Sequence, residues 1–224
     1  ADNGVVAQGV SQTDQSVTRA VAANLAAGRT SVCRMAAAAR CDVVPVDIGM
    51  AGEKVEDVLD RRIADGTADF TQGPAMTREQ ALLAIETGMA LVRDAQETGF
   101  SLLATGEMGI GNTTTSSAVA AVLLGEPVER MTGRGAGLSD AGLGRKLDAI
   151  RRGISRNRPN AEDALDVLGK LGGLDIAGLC GVFLGGARYR VPIVMDGFIS
   201  GVAALCAVRL CPRAEAAIFA SHAS

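Results

Sequence analysis

The stretch FSLLATGEMGIGNTTTSSAVAAVLLG, residues 100 to 125, decides the fold. It opens on a continuous apolar run, passes through glycines at 106, 109 and 111, and continues as a small-residue helical pattern. Strand, glycine turn and helix in that order make one βα unit, and a continuous rather than alternating apolar strand belongs to a sheet covered on both faces.

The same alternation recurs on both sides. From about Gln15 to Arg40 the spacing of Val17, Val21, Leu25, Val32 and Met35 predicts helix broken at Gly28, and DVVPVDIG then reads as a buried strand ending at Asp47. Thr77 is the predicted N-cap of a long helix, with Gln80 closing a capping box and Gly99 as the stop. Downstream, LSDAGLGRKLDAIRRGI and PNAEDALDVLGKLGG read as helices, and a glycine-rich apolar helix follows near Ile176 to Leu184. VPIVMDG is a strand, FISGVAALCAVRL a helix and AAIFA a last strand. The expectation is one α/β domain over residues 1–224, Rossmann-like and doubly wound, with a mainly parallel sheet and helices on both faces. The polar run AGEKVEDVLDRRIADGTADFTQGP is expected to be a surface excursion whose alternating charges face solvent.

Composition narrows the function classes. With 48% hydrophobic and 21% charged residues the chain can bury a substantial core. Its 22 basic and 25 acidic residues are interspersed and sum to −3, which leaves no basic footprint for nucleic acid or an anionic membrane. Five cysteines without a C-x-x-C pair point to reduced, mostly buried thiols in a cytoplasmic protein, and neither a zinc site nor a disulfide framework is expected. His222 is the only histidine, so a histidine dyad or a multi-histidine metal site is ruled out. The apolar runs are too short or too glycine-broken to span a bilayer, and no signal peptide pattern is seen. The abrupt ends, ADNGVV and SHAS, read as those of a fragment.

Ligands of such folds sit outside the carboxyl ends of the strands, which selects four segments. In GEMGIGNTT, glycines allow close backbone approach and the following helix offers free amides to an anion. It has neither the Walker pattern nor the dinucleotide G-x-G-x-x-G, so a plain strand-to-helix turn stays open, and Glu107 puts a carboxylate where an anion is expected. TGRGAGLSDAGLGRK supplies Gly133, Gly135 and Gly137 ahead of Arg145 and Lys146; a phosphate pocket and an ordinary turn with an exposed lysine both fit. In VMDGFIS, Asp196 before Gly197 suits ribose hydroxyls, a base, or the cap of the next helix. ADNG places Asp2 and Asn3 similarly.

The motifs, in order, resemble the nicotinate-nucleotide:dimethylbenzimidazole phosphoribosyltransferases of cobalamin synthesis. They are ADNGVVAQGVS, VVPVDIGMAG, QGPAMTREQA, GEMGIGNTTTSSAV, GRGAGLSDAGLGRKLDAIRRGI, DVLGKLGGLDIAG, VPIVMDGFISGVAAL and IFASHAS. The resemblance implies transfer of a phosphoribosyl group from nicotinate mononucleotide to 5,6-dimethylbenzimidazole or a similar lower-ligand base, giving α-ribazole 5′-phosphate and nicotinate. It also implies a parallel α/β domain with a small helical domain built from both chain ends, largely missing here, in a homodimer without metal or other cofactor. Carried over residue by residue, the nucleotide and its phosphate would meet Glu107, Gly109, Asn112, Thr113, Gly135, Lys146, Asp196, Gly197 and Ser224, with Thr13 near the base. The family's general base, a glutamate in a GEG-type motif, would lie beyond Ser224, so no catalytic base is assigned within these residues. Asn3 stands where histidine is usual, and Val21 where some members have glutamine. Two other classes remain: a nucleotide-binding module without turnover, and a dinucleotide oxidoreductase, against which the missing G-x-G-x-x-G counts.

Overall fold

The computed structural model describes residues 1–222. Two small parallel sheets carry the strands. One pairs β1 (Val46–Asp47) with β2 (Leu59–Asp60); the other runs in the order β3 (Leu103–Ala104), β4 (Ile193–Met195), β5 (Ile218–Ala220). The helices are α1 (Ser16–Ala26), α2 (Ser31–Ala39), α3 (Arg78–Glu97), α4 (Asn112–Leu124) and the short α5 (Val128–Met131), then α6 (Asp140–Asn157), α7 (Ala164–Leu171), α8 (Leu174–Tyr189) and α9 (Phe198–Leu210). Short 3₁₀ helices occupy Gly4–Gln8 and Pro212–Ala217.

The expected α/β alternation with parallel strands is present, but the ladders are shorter than the apolar runs. Prolines explain two of the starts: Pro45 and Pro192 stand immediately before β1 and β4 and have no N–H to donate. Their carbonyls still serve, accepting from Leu59 N at 2.9 Å and Leu103 N at 3.1 Å. Helix boundaries follow local chemistry closely. The Thr77–Gln80 capping box forms in both directions, and the break between α1 and α2 falls at Gly28, whose φ is +68°.

Glycine sets the central helix contact. A Cβ on Gly88 of α3 would stand 2.0 Å from the Gly178 carbonyl oxygen of α8, and one on Gly181 would stand 2.0 Å from that of Ile85. The two helices therefore meet backbone to backbone, with Val92 and Phe183 sealed in the core beside them. α4 is buried almost all round, including the hydroxyl residues Thr114, Thr115, Ser116 and Ser117.

Two sequence expectations are corrected. The polar run after β1 is not simply a solvated excursion: it contributes β2, seals Phe70 in the core, and sends Arg62 onto Asp47, Nη2 to Oδ2 2.8 Å. That aspartate is buried, so a matched cation is needed there and the charge pattern has a structural use. The cysteines are less buried than expected: Cys180 and Cys206 are enclosed, Cys33 and Cys211 half-buried and Cys41 exposed, all as free thiols. Among the described residues no helix is long and apolar enough to cross a membrane.

Candidate active site

The carboxyl ends of β3 and β4 are tied together by one hydroxyl. Thr105 Oγ1 lies 3.2 Å from the Val194 carbonyl oxygen and 3.0 Å from Ser200 Oγ, and it accepts from Asp196 N at 3.3 Å. The loop 106–111 and the Asp196–Gly197 turn thus leave the sheet side by side, and the crevice lies between them. Cavities of about 510 Å³ beside Met76 and Leu165 and about 910 Å³ beside Arg190 and Phe219 lie elsewhere, the second at the amino end of β4. The crevice is an open one, and its chemistry rather than its volume marks it out.

The glycine loop is pinned from below. Ile110 N donates to Thr18 Oγ1 at 3.2 Å, and that hydroxyl donates to Asp2 Oδ1 at 2.6 Å. Asp2 Oδ2 in turn accepts from Ala51 N at 2.9 Å, and Asp2 N donates to the Gly49 carbonyl at 2.8 Å. Asp2 and Thr18 are both buried, so this chain of bonds is shielded from water and joins α1, the end of β1 and the loop. Gly111 is the α4 N-cap with φ +93°, where a Cβ would also strike Val6.

Lys146 rises from α6 into this loop. It is 1% exposed, and its ammonium donates to Thr113 Oγ1 at 2.9 Å and to the Gly133 carbonyl at 3.1 Å. The side chain forms no ion pair with any carboxylate of the described residues. Burial pushes its amine down to about 8. Gly135 arches over the same point with φ +55°, and a Cβ there would stand 3.0 Å from Thr113 Oγ1 and 3.6 Å from Lys146 Nζ. A buried lysine held only by neutral oxygens at the first turn of a helix is a cation waiting for an anion. In the loop and first turn, the amides of Ile110, Asn112 and Thr114 are engaged, whereas those of Gly109, Gly111 and Thr113 donate to no acceptor among the described residues.

Glu107 faces the opposite chemistry. Asn112 Nδ2 donates to its Oε2. Desolvation, followed by the charge of Asp175, raises its carboxyl to about 7; the Asn112 bond and the Ala1 amine oppose this, and Asp196 adds to it. The residue as a whole opens on the crevice, so water moderates the shift without reversing its direction.

Glu107, Gly109, Asn112, Thr113, Gly135 and Lys146 are therefore gathered at one place, with Asp196 across the strand ends from Glu107. Asp196 does not cap α9: the N-cap is Gly197, and no side chain bonds there. Gly197 has open space where a Cβ would project. Thr13 sits exposed in the turn before α1, and its neighbour Gln12 donates to the Gly137 carbonyl, which ties that turn to the glycine segment of the pocket. Ser224 lies outside the described residues.

Asp175 is the residue that sequence reading overlooked. It is buried in the first turn of α8, where Oδ1 accepts from Ile176 N at 2.9 Å and Oδ2 has no partner among the described residues. The carboxylate after a Gly-Gly pair, opening an otherwise apolar helix, was the available signal.

A family model described as Phosphoribosyltransferase matches residues 1–224. The chain belongs to this family. Similar relatives are nicotinate-nucleotide–dimethylbenzimidazole phosphoribosyltransferases: that of Ruminiclostridium cellulolyticum is 49% identical over 225 residues, and that of Chloroflexus aggregans 48% identical over 226. All of this chain is covered in both cases, and it spans about 64% of the length of these curated relatives. Among solved structures, CobT from Thermus thermophilus superposes with a TM-score of 0.94 at 41% identity, covering 99% of this chain and 67% of that one. A structure titled nicotinate-nucleotide-dimethylbenzimidazole phosphoribosyltransferase from the same organism gives 0.91 at 40% identity, with 99% and 66% covered. Family membership agrees with the motif order, and the parallel α/β arrangement is shared with these structures.

Proposed function

We propose that residues 1–224 form the large domain of an enzyme that transfers a phosphoribosyl group from nicotinate mononucleotide to 5,6-dimethylbenzimidazole or a similar base, releasing nicotinate and α-ribazole 5′-phosphate. The observation that carries this reading is Lys146, buried against Thr113 and Gly133 at the first turn of α4 with no carboxylate partner among the described residues. A phosphate there would meet one cation and the amides of Gly109, Gly111 and Thr113. Glu107, Asn112 and Gly135 line the same point, Asp196 and Gly197 take the ribose side, Ser224 completes the nucleotide site, and Thr13 approaches the base. Because the pyridinium is already a good leaving group, the protein's work is to hold the phosphate, align the azole nitrogen with C1′ and accept one proton. Attack from the face opposite nicotinate gives the α-configured product. The proton acceptor is assigned to a glutamate beyond Ser224. We further assign the protein to the cytoplasm, as a homodimer; its free thiols are in keeping with a reducing compartment.

The test is formation of nicotinate and α-ribazole 5′-phosphate by residues 1–224 beside a chain extended as far as its relatives. Turnover only in the longer chain supports the full assignment. Equal turnover places the proton acceptor within residues 1–224, and nucleotide binding without turnover in either chain favours a binding module.

A further inference from the structure

The crevice opens where the ladder between β3 and β4 stops, and a side chain stops it. Parallel pairing steps along the strands as Leu103 N to Pro192 O at 3.1 Å and Thr105 N to Val194 O at 2.9 Å. The next rung of that pattern would run from Asp196 N to the Thr105 carbonyl. Instead, Asp196 N donates to Thr105 Oγ1 at 3.3 Å. The hydroxyl takes the bond that the backbone would have taken, and β4 parts from β3 at the residue where the crevice begins.

That hydroxyl is fully used. Threonine has one hydroxyl proton to give and two lone pairs to fill. The proton cannot serve both the Val194 carbonyl at 3.2 Å and Ser200 Oγ at 3.0 Å. With the proton on Val194 O, Oγ1 accepts from Ser200 Oγ and from Asp196 N, and every position is filled. Ser200 is 2% exposed in the first turn of α9, so its bond is shielded from water. One oxygen thus joins β3, β4 and α9. Gly106 follows Thr105 and Gly197 follows Asp196, and each has open space where a Cβ would project. Among the described residues, no hydrogen bond other than those of Thr105 links residues 105–111 with residues 194–200. Asp196 is exposed and does not cap α9, so its direction is set by its backbone, and that backbone is held by Thr105.

We propose that Thr105 is a positioning residue of the nucleotide site: its hydroxyl fixes the Asp196 backbone against the start of the glycine loop and so aims the Asp196 carboxylate at the ribose hydroxyls. The phosphate end is held separately, by Lys146 and the amides at the start of α4, and Lys146 bonds to Thr113 and Gly133, not to Thr105. Loss of the Thr105 hydroxyl therefore loosens the grip on the sugar and spares the phosphate. This inference rests on the nucleotide site proposed above.

The test titrates nicotinate mononucleotide and, separately, inorganic phosphate by calorimetry. The proteins are the wild-type chain, Thr105→Val, Thr105→Ser, Ser200→Ala, Asp196→Ala and the Thr105→Val, Asp196→Ala double variant. Valine keeps the branched shape and removes the hydroxyl. Thr105→Val is expected to weaken nucleotide binding by roughly five- to ten-fold, the scale of one hydrogen bond, and to leave phosphate binding within about two-fold. Thr105→Ser, which restores the hydroxyl, returns nucleotide affinity to within about two-fold of wild type. Ser200→Ala removes one donor to Oγ1 and weakens the nucleotide by roughly two- to three-fold. Beside Asp196→Ala, Thr105→Val has no further effect. Unchanged nucleotide affinity in Thr105→Val, equal losses for nucleotide and phosphate, or a Thr105→Val loss that persists undiminished beside Asp196→Ala overturns the proposal. If Thr105→Val does not fold, Ser200→Ala decides: a loss confined to the nucleotide supports the positioning role, and any other result refutes it. No nucleotide binding by the wild-type chain overturns the nucleotide assignment instead, and so separates the two failures.

Discussion

Lys146 Nζ donates to Thr113 Oγ1 at 2.9 Å across 33 residues of sequence, joining the middle of α6 to the first turn of α4. This bond concentrates the positive charge of the crevice where backbone amides also point. Replacing Lys146 with alanine removes the cation while leaving Thr113 and Gly133 room to hydrate. Nucleotide affinity should drop at least about ten-fold, as expected for losing one charge-assisted contact of about 1.5–3 kcal/mol. Calorimetric titration with nicotinate mononucleotide checks this, and an unchanged dissociation constant would refute the pocket.

Lys146 also predicts opposite pH trends for folding and binding. Its amine is displaced from 10.5 to about 8 in the folded chain, so folding excludes a proton that the unfolded chain retains. The penalty is present in full below about 8 and is relieved as pH rises from there toward 10.5, while anion affinity falls over the same interval. Urea denaturation of ligand-free wild type and Lys146→Met across pH 7.5–10 isolates this contribution. The difference in stability between the two should shrink as pH rises; a difference that widens contradicts the burial argument.

Gly135 offers a second test of the pocket. At φ +55° an alanine is strained by about 1 kcal/mol, and its Cβ would press on Thr113 Oγ1 at 3.0 Å. Gly135→Ala should lower the melting temperature by a few degrees. It should weaken nucleotide binding by more than that small stability loss explains, because the Lys146–Thr113 contact must shift to make room. Paired melting and binding measurements decide it, and binding equal to wild type shows that the segment yields freely.

Arg62 and Asp47 form the most enclosed ion pair of the described residues, with side chains 14% and 4% exposed. Truncating Arg62 to alanine leaves the buried Asp47 carboxylate without a cation, its Oδ1 still held by Gly49 N and Met50 N, and the expected cost is about 3–5 kcal/mol. Chemical denaturation checks this. A loss under about 1 kcal/mol would show that water reaches Asp47 once the guanidinium is gone.

How much of this was legible follows from the range of the forces involved. The Thr77 capping box and the break at Gly28 are local, set by residues within four positions, and were readable as such. The glycine loop after the third strand and the helix it opens were readable because apolar run, glycines and hydroxyl residues follow in unbroken order. Strand length was not, since ladder bonds belong to partners far along the chain and Pro45 and Pro192 delay the start of two strands. Arg62 looked like one more surface charge because its partner lies 15 residues back, in a buried strand. Lys146 was noticed for its place behind a glycine segment, but its burial depends on the fold. Asp175 escaped because a single acid in an apolar helix has no pattern of its own.

The glycine contact between α3 and α8 reaches beyond packing. Each of these helices leads into a strand, α3 into β3 and α8 into β4, and those strands pair in register with Leu103 beside Ile193. The loop bearing Glu107 leaves one strand and the turn bearing Asp196 leaves the other. Gly88 and Gly181 therefore act as a spacer gauge: the separation they allow between the helices is carried by the two strands to the gap between the Glu107 loop and the Asp196 turn. A methyl group at position 88 is a lever on the spacing of α3 and α8, and through it on that gap.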